Sequence, residues 1–432
     1  MKEKLEELPE GAFMVGLDIG TTKISVMIGK KDQYGKLEIL GTGRAVSNGV
    51  TRGIVANIDK TVASISLAVD EAKQKSGLLI KDVFIGIAGQ HIKSLQHRGE
   101  IVRDNIEIEI ARADIDKLKS NMFKLITIPG EEVIHVIPQE YTVDGEDGIE
   151  DPIGMAGVKI EANFHVITAQ VGAVRNIIKC VERSGLNPKD LVLEPFASAL
   201  ATLDKDELQE GVALVDIGGG TTDVAIFLGN IIRHTAVIPF GGNVITKDIK
   251  SGLEILENQA ELLKVKFGSA MYTEDQENVM VSIPGLRGRP PKEIAVRNLS
   301  EIIGARYKEI IDLVYHEIKS SGYENKLMTG IVLTGGGSLI KNLKQLVAYV
   351  TGKETRIGYP NEHLGPESKD VVVSPMYSTG VGLVLKGFEY MLQYPEYSGK
   401  GQESVNNERQ KEITEPSLID RISGWFTEDN VD

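Results

Sequence analysis

The chain has 432 residues, of which 41 % are hydrophobic and 25 % are charged, and its formal net charge is −14. This is the composition of a globular protein long enough for two or more domains, and the acidic balance argues against nucleic acid as the main partner. The single cysteine, Cys180, excludes an internal disulfide framework. Because no apolar run is long enough to cross a bilayer, we expect any membrane contact to be peripheral.

The first strong pattern is a hairpin near the start of the chain. Residues 15–29 read as a strand, an Asp-Ile-Gly-Thr-Thr turn and a second strand. Glycine lets the backbone approach a bulky anion, and the hydroxyls of Thr21 and Thr22 add hydrogen-bond donors. Further predicted elements are strands at 37–45, 53–56 and 83–88 and a helix at 59–76. Together they predict the first half of an α/β lobe.

Residues 84–165 do not continue that lobe. A short polar helix at 112–123, a strand at 132–143 and a turn-rich segment at 151–157 predict a small inserted α+β module. The alternative is a decorated loop, which the length and the strand pattern disfavour. The lobe is expected to resume with a strand at 164–170, a helix at 172–184 and a strand at 191–194.

A second hairpin repeats the design of the first. The turn Asp216-Ile-Gly-Gly-Gly-Thr-Thr-Asp223 joins two apolar strands. Glycines that open a helix would instead indicate a P-loop or a dinucleotide fingerprint. Two turns with the same Asp-Ile-Gly start and Thr-Thr end predict a duplicated core whose hairpins face one ligand. The aspartate that ends the first strand of each hairpin can hold a hydrated divalent cation.

A third glycine turn lies in residues 331–340, which read as a strand, the turn Gly335-Gly-Gly-Ser338 and a helix start. The three turns, in this order, resemble the phosphate-1, phosphate-2 and adenosine motifs of the actin-like ATPase superfamily. The resemblance implies an α/β, duplicated actin-like (RNase H-like) two-lobe fold with an inserted α+β (1C-type) module. The implied division is lobe 1 (1A) at 12–83 and 166–200, the module at 84–165, lobe 2 (2A) at 208–242 and 326–392, and subdomain 2B at 243–325.

The same resemblance implies that the chain binds ATP with Mg²⁺. The metal would lie between Asp18 and Asp216, and Glu194 matches the position of a catalytic acid for at most slow hydrolysis. The nucleotide would be bound by Gly20, Thr21, Thr22, Lys23, Gly218, Gly219, Gly220, Thr221, Thr222, Gly242, Glu261, Lys264, Gly335, Gly336, Gly337 and Ser338. A solvated surface position remains the alternative for Lys23 and for the helical pair Glu261 and Lys264.

The inserted module narrows the resemblance. It carries Gly89-Gln-His-Ile-Lys-Ser94 and Asp151-Pro-Ile-Gly-Met-Ala-Gly157, and with the actin-like core it resembles the FtsA family of bacterial cell-division proteins. The resemblance implies self-assembly into a filament on the cytoplasmic face of the inner membrane at the division septum. It also implies contact with the tubulin-like FtsZ near Arg289, Arg297 and Glu301, and contact of other division proteins with residues 84–165.

The end of the chain differs in composition. Residues 393–416 are polar and predict a disordered linker, and residues 417–427 predict a C-terminal amphipathic helix. Its apolar face would comprise Leu418, Ile419, Ile422, Trp425 and Phe426. We expect this face to bind membrane lipid. The alternative is a tail that packs on its own domain or in a groove of a partner.

Three other members of the superfamily compete with this interpretation. A pilus-assembly actin homologue shares the inserted module, and the tail and the co-purifying partner would distinguish it. A small-molecule kinase would need an acceptor-binding acid beyond Glu194 and a phosphorylatable substrate. A chaperone-type ATPase would need a β-rich peptide-binding domain after residue 390.

Overall fold

The computed structural model describes residues 11–397 except 105–107, 126, 275–276, 286–289, 369–371 and 395–396. The predicted membrane helix, most of the predicted linker and Arg289 therefore lie outside the described residues. Within the described part, no helix is both long and apolar enough to cross a membrane.

The first lobe begins with a hairpin whose strands pair antiparallel through the predicted turn. Its elements are β1 (Met14–Ile19), β2 (Lys23–Lys31), β3 (Leu37–Val46), β4 (Val50–Thr51), β5 (Ile54–Val55), α1 (Ile58–Ser76) and β6 (Asp82–Ile87). Asn57 caps α1 by accepting a hydrogen bond from the Lys60 amide, and Gly77 ends the helix in the left-handed conformation. The buried face of α1 packs on the sheet through Ile65, Ala68 and Ala72.

The inserted part forms its own four-stranded antiparallel sheet, ordered β7-β10-β8-β9. Its elements are β7 (Ile92–Val102), α2 (Arg112–Phe123), β8 (Glu131–Val143), β9 (Glu146–Ile149) and β10 (Lys159–Gln170). A separate core beneath α2 includes Leu118, Tyr141 and Phe164. The predicted boundaries at 84 and 165 need correction, because β6 pairs with β1 in the first lobe and β10 stays in the inserted sheet up to Gln170.

The chain then returns to the first lobe and crosses to the second. The elements α3 (Val171–Arg183) and β11 (Asn187–Leu193) belong to the first lobe. They are followed by α4 (Glu194–Thr202) and α5 (Lys205–Glu210), which lead to the second lobe. The sheet of the first lobe has the order β11-β6-β1-β2-β3. Its apolar residues are covered on one side by α1 and α3.

The second lobe begins with the second predicted hairpin. Its elements are β12 (Val212–Ile217), β13 (Thr222–Leu228), β14 (Ile231–Ile238), α6 (Gly242–Gly252), α7 (Glu257–Phe267), β15 (Met280–Ile283), β16 (Lys292–Ala295), α8 (Val296–Ser320), β17 (Ile331–Thr334), α9 (Leu343–Thr351) and β18 (Thr355–Ile357). Within the range predicted for subdomain 2B, α8 is a long helix of 25 residues.

The two lobes repeat one topology. The sheet of the second lobe runs β18-β17-β12-β13-β14, which matches the first lobe strand for strand. In each lobe the hairpin strands are antiparallel, and the strand before the turn pairs in parallel with the strand that follows the helices. Both glycine turns therefore leave equivalent ends of equivalent sheets.

The last described helix, α10 (Ser378–Gln393), belongs by its packing to the first lobe. Phe388 and Met391 are buried with Met14 and Phe84 on the second side of the first sheet. The prediction that residues up to 392 belong to lobe 2 is wrong for this helix, whose apolar face lies on lobe 1. The predicted start of the linker at 393 is also too early, because the ring of Tyr397 stacks edge-on against Phe84 at 6.3 Å.

Candidate functional site: a cleft between the lobes

A cleft of about 450 Å³ opens where the three glycine turns converge. Its polar lining brings together Asp18 and Asp216, each at the end of a buried strand, with Lys23 and Glu194. The predicted residues in its wall are Asp18, Gly20, Thr21, Thr22, Lys23, Glu194, Asp216, Gly218, Gly219, Gly220, Thr221, Gly242, Glu261, Lys264, Gly335, Gly336 and Gly337. The structure thus brings together residues that lie more than 300 positions apart in the sequence.

The two hairpin turns face each other across the cleft at close range. A Cβ atom built on Gly220 would lie 2.6 Å from Thr21 Oγ1, and one built on Gly219 would overlap Thr22 Oγ1. Thr22 Oγ1 also lies 3.4 Å from Asn243 Oδ1 of the second lobe. Only glycine permits this approach, so the turns form a narrow cradle of backbone amides and hydroxyls.

The turn Gly218–Thr221 is held from behind by α6. The amides of Gly242 and Asn243 donate to the carbonyl oxygens of Gly218 and Gly219 at 2.9 and 2.8 Å. The hydroxyl of Thr222 donates to Phe240 O at 2.8 Å and is fully buried. Thr222 was predicted to bind the nucleotide, but it does not line the cleft, because its hydroxyl ties β13 to the segment before α6.

The third turn forms the floor beside Asp216. Gly335 has a φ of +81°, and a Cβ atom there would overlap Asp216 Oδ1. The hydroxyl of Tyr307 donates to Gly337 O at 2.7 Å and fixes the turn from α8. Ser338 is buried and its hydroxyl donates to Gly335 O at 2.7 Å. Ser338 was predicted to bind the nucleotide, but it does not line the cleft, because its side chain turns back into its own loop.

Burial and mutual repulsion shape the acid groups of the cleft. Burial raises the pKa of Asp216 to about 6, although Ser198 Oγ donates to its Oδ2 at 2.7 Å. Burial raises the pKa of Asp18 as well, and burial followed by the charge of Asp18 raises the pKa of Glu194 well above its ordinary value. Such a cluster gains stability when positive charge enters the cleft.

The basic groups are held in place by the protein. Lys23 Nζ donates to Met376 O at 2.5 Å and lies 5.0 Å from the ring centre of Tyr377, and burial lowers its pKa. Lys264 Nζ lies 2.7 Å from Glu261 Oε2 and also donates to Gly242 O at 2.9 Å. Neither lysine is a solvated surface side chain. The Lys264 amine fixes the start of α6, a role that the helical spacing alone did not predict.

Sequence reasoning missed several residues in this wall. Asp223 lies opposite Asp216 in the hairpin register, and burial followed by the charge of Asp216 raises its pKa to about 8. The sequence analysis assigned Asp223 no part in the site, although the turn motif ends on it. The other lining residues that were not predicted are Ile19, Arg44, Gly53, Ala88, Asn243, Val265, Tyr307, Leu339, Ile340, Met376 and Thr379.

Asp18 and Asp216, one from each lobe, offer carboxylate oxygens of the kind that a hydrated Mg²⁺ ion takes as partners. Among the described residues, no group of three or more His, Cys, Asp or Glu side chains is arranged to chelate a metal directly. Two carboxylates with raised pKa values, one from each lobe, instead suit an ion that keeps its own water ligands.

Comparisons with known proteins agree with this architecture. The family model "Cell division protein FtsA" matches residues 213–382, and the model "SHS2 domain inserted in FTSA" matches residues 89–168. The cell division protein FtsA of Pseudomonas aeruginosa is 40 % identical over 98 % of this chain and 99 % of its own. The FtsA of Escherichia coli K12 is 34 % identical over 96 % of this chain and 97 % of its own.

Solved structures share the fold at low identity. The PilM-PilN type IV pilus biogenesis complex matches with a TM-score of 0.62 and 16 % identity over 87 % of this chain and 98 % of its own. MreB5 of Spiroplasma citri bound to ADP matches with a TM-score of 0.52 and 16 % identity over 90 % and 99 %.

The duplicated sheets and the cleft between them define a protein of the actin-like ATPase fold, as predicted. Within that class, the chain belongs to the FtsA family of cell-division proteins. Membership decides against the pilus-assembly, small-molecule kinase and chaperone interpretations.

Proposed function

We propose that this cell-division protein binds Mg-ATP in the cleft, assembles on the inner membrane and tethers FtsZ to it. The observation that carries the nucleotide part is the convergence of the two facing turns, both strand-end aspartates and the glycine floor in one cleft. The fold neighbour MreB5, which is bound to ADP, supports the same ligand class. Family membership supports the role in division.

Within this proposal each part of the cleft has a separate task. The amides of Gly20 and Gly218–Gly220 and the hydroxyls of Thr21, Thr22 and Thr221 bind the phosphates. The adenine lies on the backbone of Gly335–Gly337, beside the apolar side chains of Val265 and Leu339. A Mg²⁺ ion held between Asp18 and Asp216 supplies positive charge against the phosphates and the surrounding carboxylates.

Glu194 is the acid that we assign to slow ATP hydrolysis. It is the first residue of α4 and its side chain faces the cleft. Glu194→Gln should lower phosphate release from Mg-ATP by about 100-fold or more, since it removes a proton acceptor for water. The Mg-ATP affinity, measured by calorimetry, should keep its order of magnitude.

Glu210→Gln, at an exposed position of α5, serves as the matched control and should leave both quantities unchanged. Equal phosphate release from wild type and Glu194→Gln would remove the assignment.

Membrane attachment rests on the pattern of residues 417–427. Burial of Leu418, Ile419, Ile422, Trp425 and Phe426 in the bilayer interface contributes about a few kcal/mol, so a single copy binds weakly. An assembly that carries many copies binds strongly through avidity. Nearby acidic residues such as Asp420 and Glu428 make attraction by anionic lipids small.

Vesicle co-sedimentation with purified FtsZ tests the whole proposal. Full-length protein should pellet with vesicles, more strongly with Mg-ATP, and should bring FtsZ into the pellet. The 1–416 truncation should leave both in the supernatant. Ile422→Glu should release the protein, whereas Ser423→Glu adds the same charge on the polar side and should have a smaller effect.

If the truncation still pellets, the tail is not the membrane anchor. If vesicle-bound protein leaves FtsZ in solution, the tether is contradicted.

The proposed FtsZ contact lies near Arg297 and Glu301, which form a 3.0 Å ion pair at the start of α8. The variant Arg297→Ala tests this contact in the same vesicle assay. Contact of further division proteins with the inserted sheet is part of the same proposal.

A further inference from the structure

A second contact joins the lobes away from the cleft. The inserted sheet belongs in the chain to the first lobe, yet it packs against β14, the edge strand of the second lobe. Ile137 of β8 packs against apolar cores of both lobes, and Val237 of β14 packs against the core of the first. Movement that separates the inserted sheet from β14 would therefore have to break this contact.

The polar part of the contact is directed at the backbone of β14. Ser94 Oγ donates to Thr235 O at 2.9 Å, and Gln96 Nε2 donates to Arg233 O at 3.0 Å. Gln139 Nε2 donates to Ile232 O at 2.9 Å and lies 3.2 Å from Arg233 O. Side chains from two strands of the inserted sheet thus take up carbonyl groups that an edge strand otherwise leaves to water or to another chain.

A buried histidine completes the contact. His165 is 1 % exposed, and its Nδ1 lies 3.2 Å from the donor Gln96 Nε2. Nδ1 therefore accepts, and Nε2 carries the proton that it donates to Thr235 Oγ1 at 3.0 Å. Burial lowers the pKa of His165 to about 4, which keeps the ring neutral as this pattern requires.

The contact lies one strand from the phosphate cradle. In the register of β13 and β14, Thr222 pairs with Ile238 and Asp223 pairs with Val237. The turn Gly218–Thr221 leads directly into β13. In the same structure, a Cβ atom on Gly220 would lie 2.6 Å from Thr21 Oγ1 and one on Gly219 would overlap Thr22 Oγ1. The bonds to β14 and the close approach of the two turns therefore occur together.

We propose that the inserted sheet is a brace across the lobes that holds the cleft closed, with Gln96, Gln139 and His165 acting as positioning residues for the nucleotide. The proposal extends the nucleotide binding proposed above and assigns the inserted sheet a task within its own chain. By linkage, whatever loosens the brace loosens the nucleotide, and nucleotide binding tightens the brace.

The test uses the full-length double variant Gln96→Ala/Gln139→Ala. Loss of these bonds should speed dissociation of a fluorescent ATP analogue with Mg²⁺ by about 5- to 100-fold. Amide hydrogen exchange in β14 of the nucleotide-free protein should become faster. The matched control is Gln90→Ala/Gln170→Ala, which removes two exposed glutamines of the same insertion and should change neither readout.

Gln96→Glu separates bonding from packing, because it keeps the size of the side chain and replaces the donor with an acceptor facing a carbonyl. It should act in the same direction as Gln96→Ala. If the double variant fails to fold, Ser94→Ala should give a smaller change of the same sign.

Unchanged exchange in β14 of the folded double variant overturns the brace. Faster exchange in β14 with unchanged nucleotide dissociation overturns the positioning role. If wild-type protein binds no Mg-ATP, the proposed nucleotide function fails, and exchange in β14 still decides whether the brace exists.

Discussion

Gly335→Ala should abolish high-affinity Mg-ATP binding. The residue has a φ of +81°, and an added Cβ would overlap Asp216 Oδ1 and lie 2.6 Å from Ile217 O. The neighbouring atoms are backbone and a cleft carboxylate, so relief requires movement of the floor or of Asp216. A cost of about 3 kcal/mol in the binding arrangement corresponds to roughly a 100-fold loss of affinity.

Gly352→Ala provides the control, because Gly352 ends α9 outside the cleft with a φ of +67° and no heavy atom within 4 Å of an added Cβ. This variant carries a similar backbone strain without the overlap. Calorimetric titration with Mg-ATP should show near wild-type affinity for Gly352→Ala and none in the same range for Gly335→Ala. Equal affinities in the two variants would contradict the placement of the floor against Asp216.

The glycine turns made the cleft predictable from sequence. Each turn places a carboxylate or an open backbone at a strand end, and the repeated Asp-Ile-Gly and Thr-Thr pattern predicted two hairpins that face one ligand. The presence of Asp18, Gly219 and Gly335 in the cleft could therefore be predicted from the local sequence of each turn. The helical spacing of Glu261 and Lys264 likewise predicted their shared face, now seen as a 2.7 Å ion pair.

Other parts of the site were not predictable because they depend on distant packing. Tyr307 reads as one apolar position of α8, and only the fold brings its hydroxyl to Gly337. Thr222 and Ser338 have the same residue types as the hydroxyl residues that line the cleft, but their hydroxyls donate hydrogen bonds to nearby backbone carbonyl groups instead. A motif specifies the residue type, whereas hydroxyl direction is set by the nearest acceptor in three dimensions.

The boundaries failed for a related reason. Alternating apolar residues indicate a strand but do not indicate which sheet it joins. Thus β6 and α10 were assigned by chain order, although β6 pairs with β1 and α10 covers the first sheet. Likewise, Gln96 and Gln139 look like ordinary polar strand residues in the sequence. Their hydrogen bonds to β14 could not be predicted, because the sequence does not show that β14 lies beside the inserted sheet.

The crossing of α4 and α10 links the lobes at the base of the cleft. Ser198 of α4 donates to Asp216 Oδ2 at 2.7 Å and lies 3.1 Å from Thr379 Oγ1 of α10. Glu194 begins α4, so the same helix positions the proposed acid and contacts one proposed metal-binding carboxylate. We therefore expect the spacing of the two helices to set the position of Asp216 and Glu194 in the cleft.

Gly382→Ala should destabilise the protein and weaken Mg-ATP binding together. An added Cβ would overlap the carbonyl group of Ala197 and lie 2.9 Å from its Cα, so the obstacle is the backbone of α4. Separation of the helices should cost about 3 kcal/mol of unfolding free energy, because no side chain can move aside. Urea denaturation and calorimetric titration with Mg-ATP measure the two effects.

Gly380→Ala is the matched control on the same helix. Its added Cβ would meet Met27 Cε at 3.2 Å, the flexible end of a side chain that can rotate away. We expect a small loss of stability and an unchanged affinity for Mg-ATP in this variant. If Gly382→Ala lowers stability but leaves affinity intact, the helix crossing supports the fold without setting the position of Asp216. If stability and affinity both fall in Gly382→Ala and not in Gly380→Ala, the close approach of α4 and α10 positions Asp216 and Glu194.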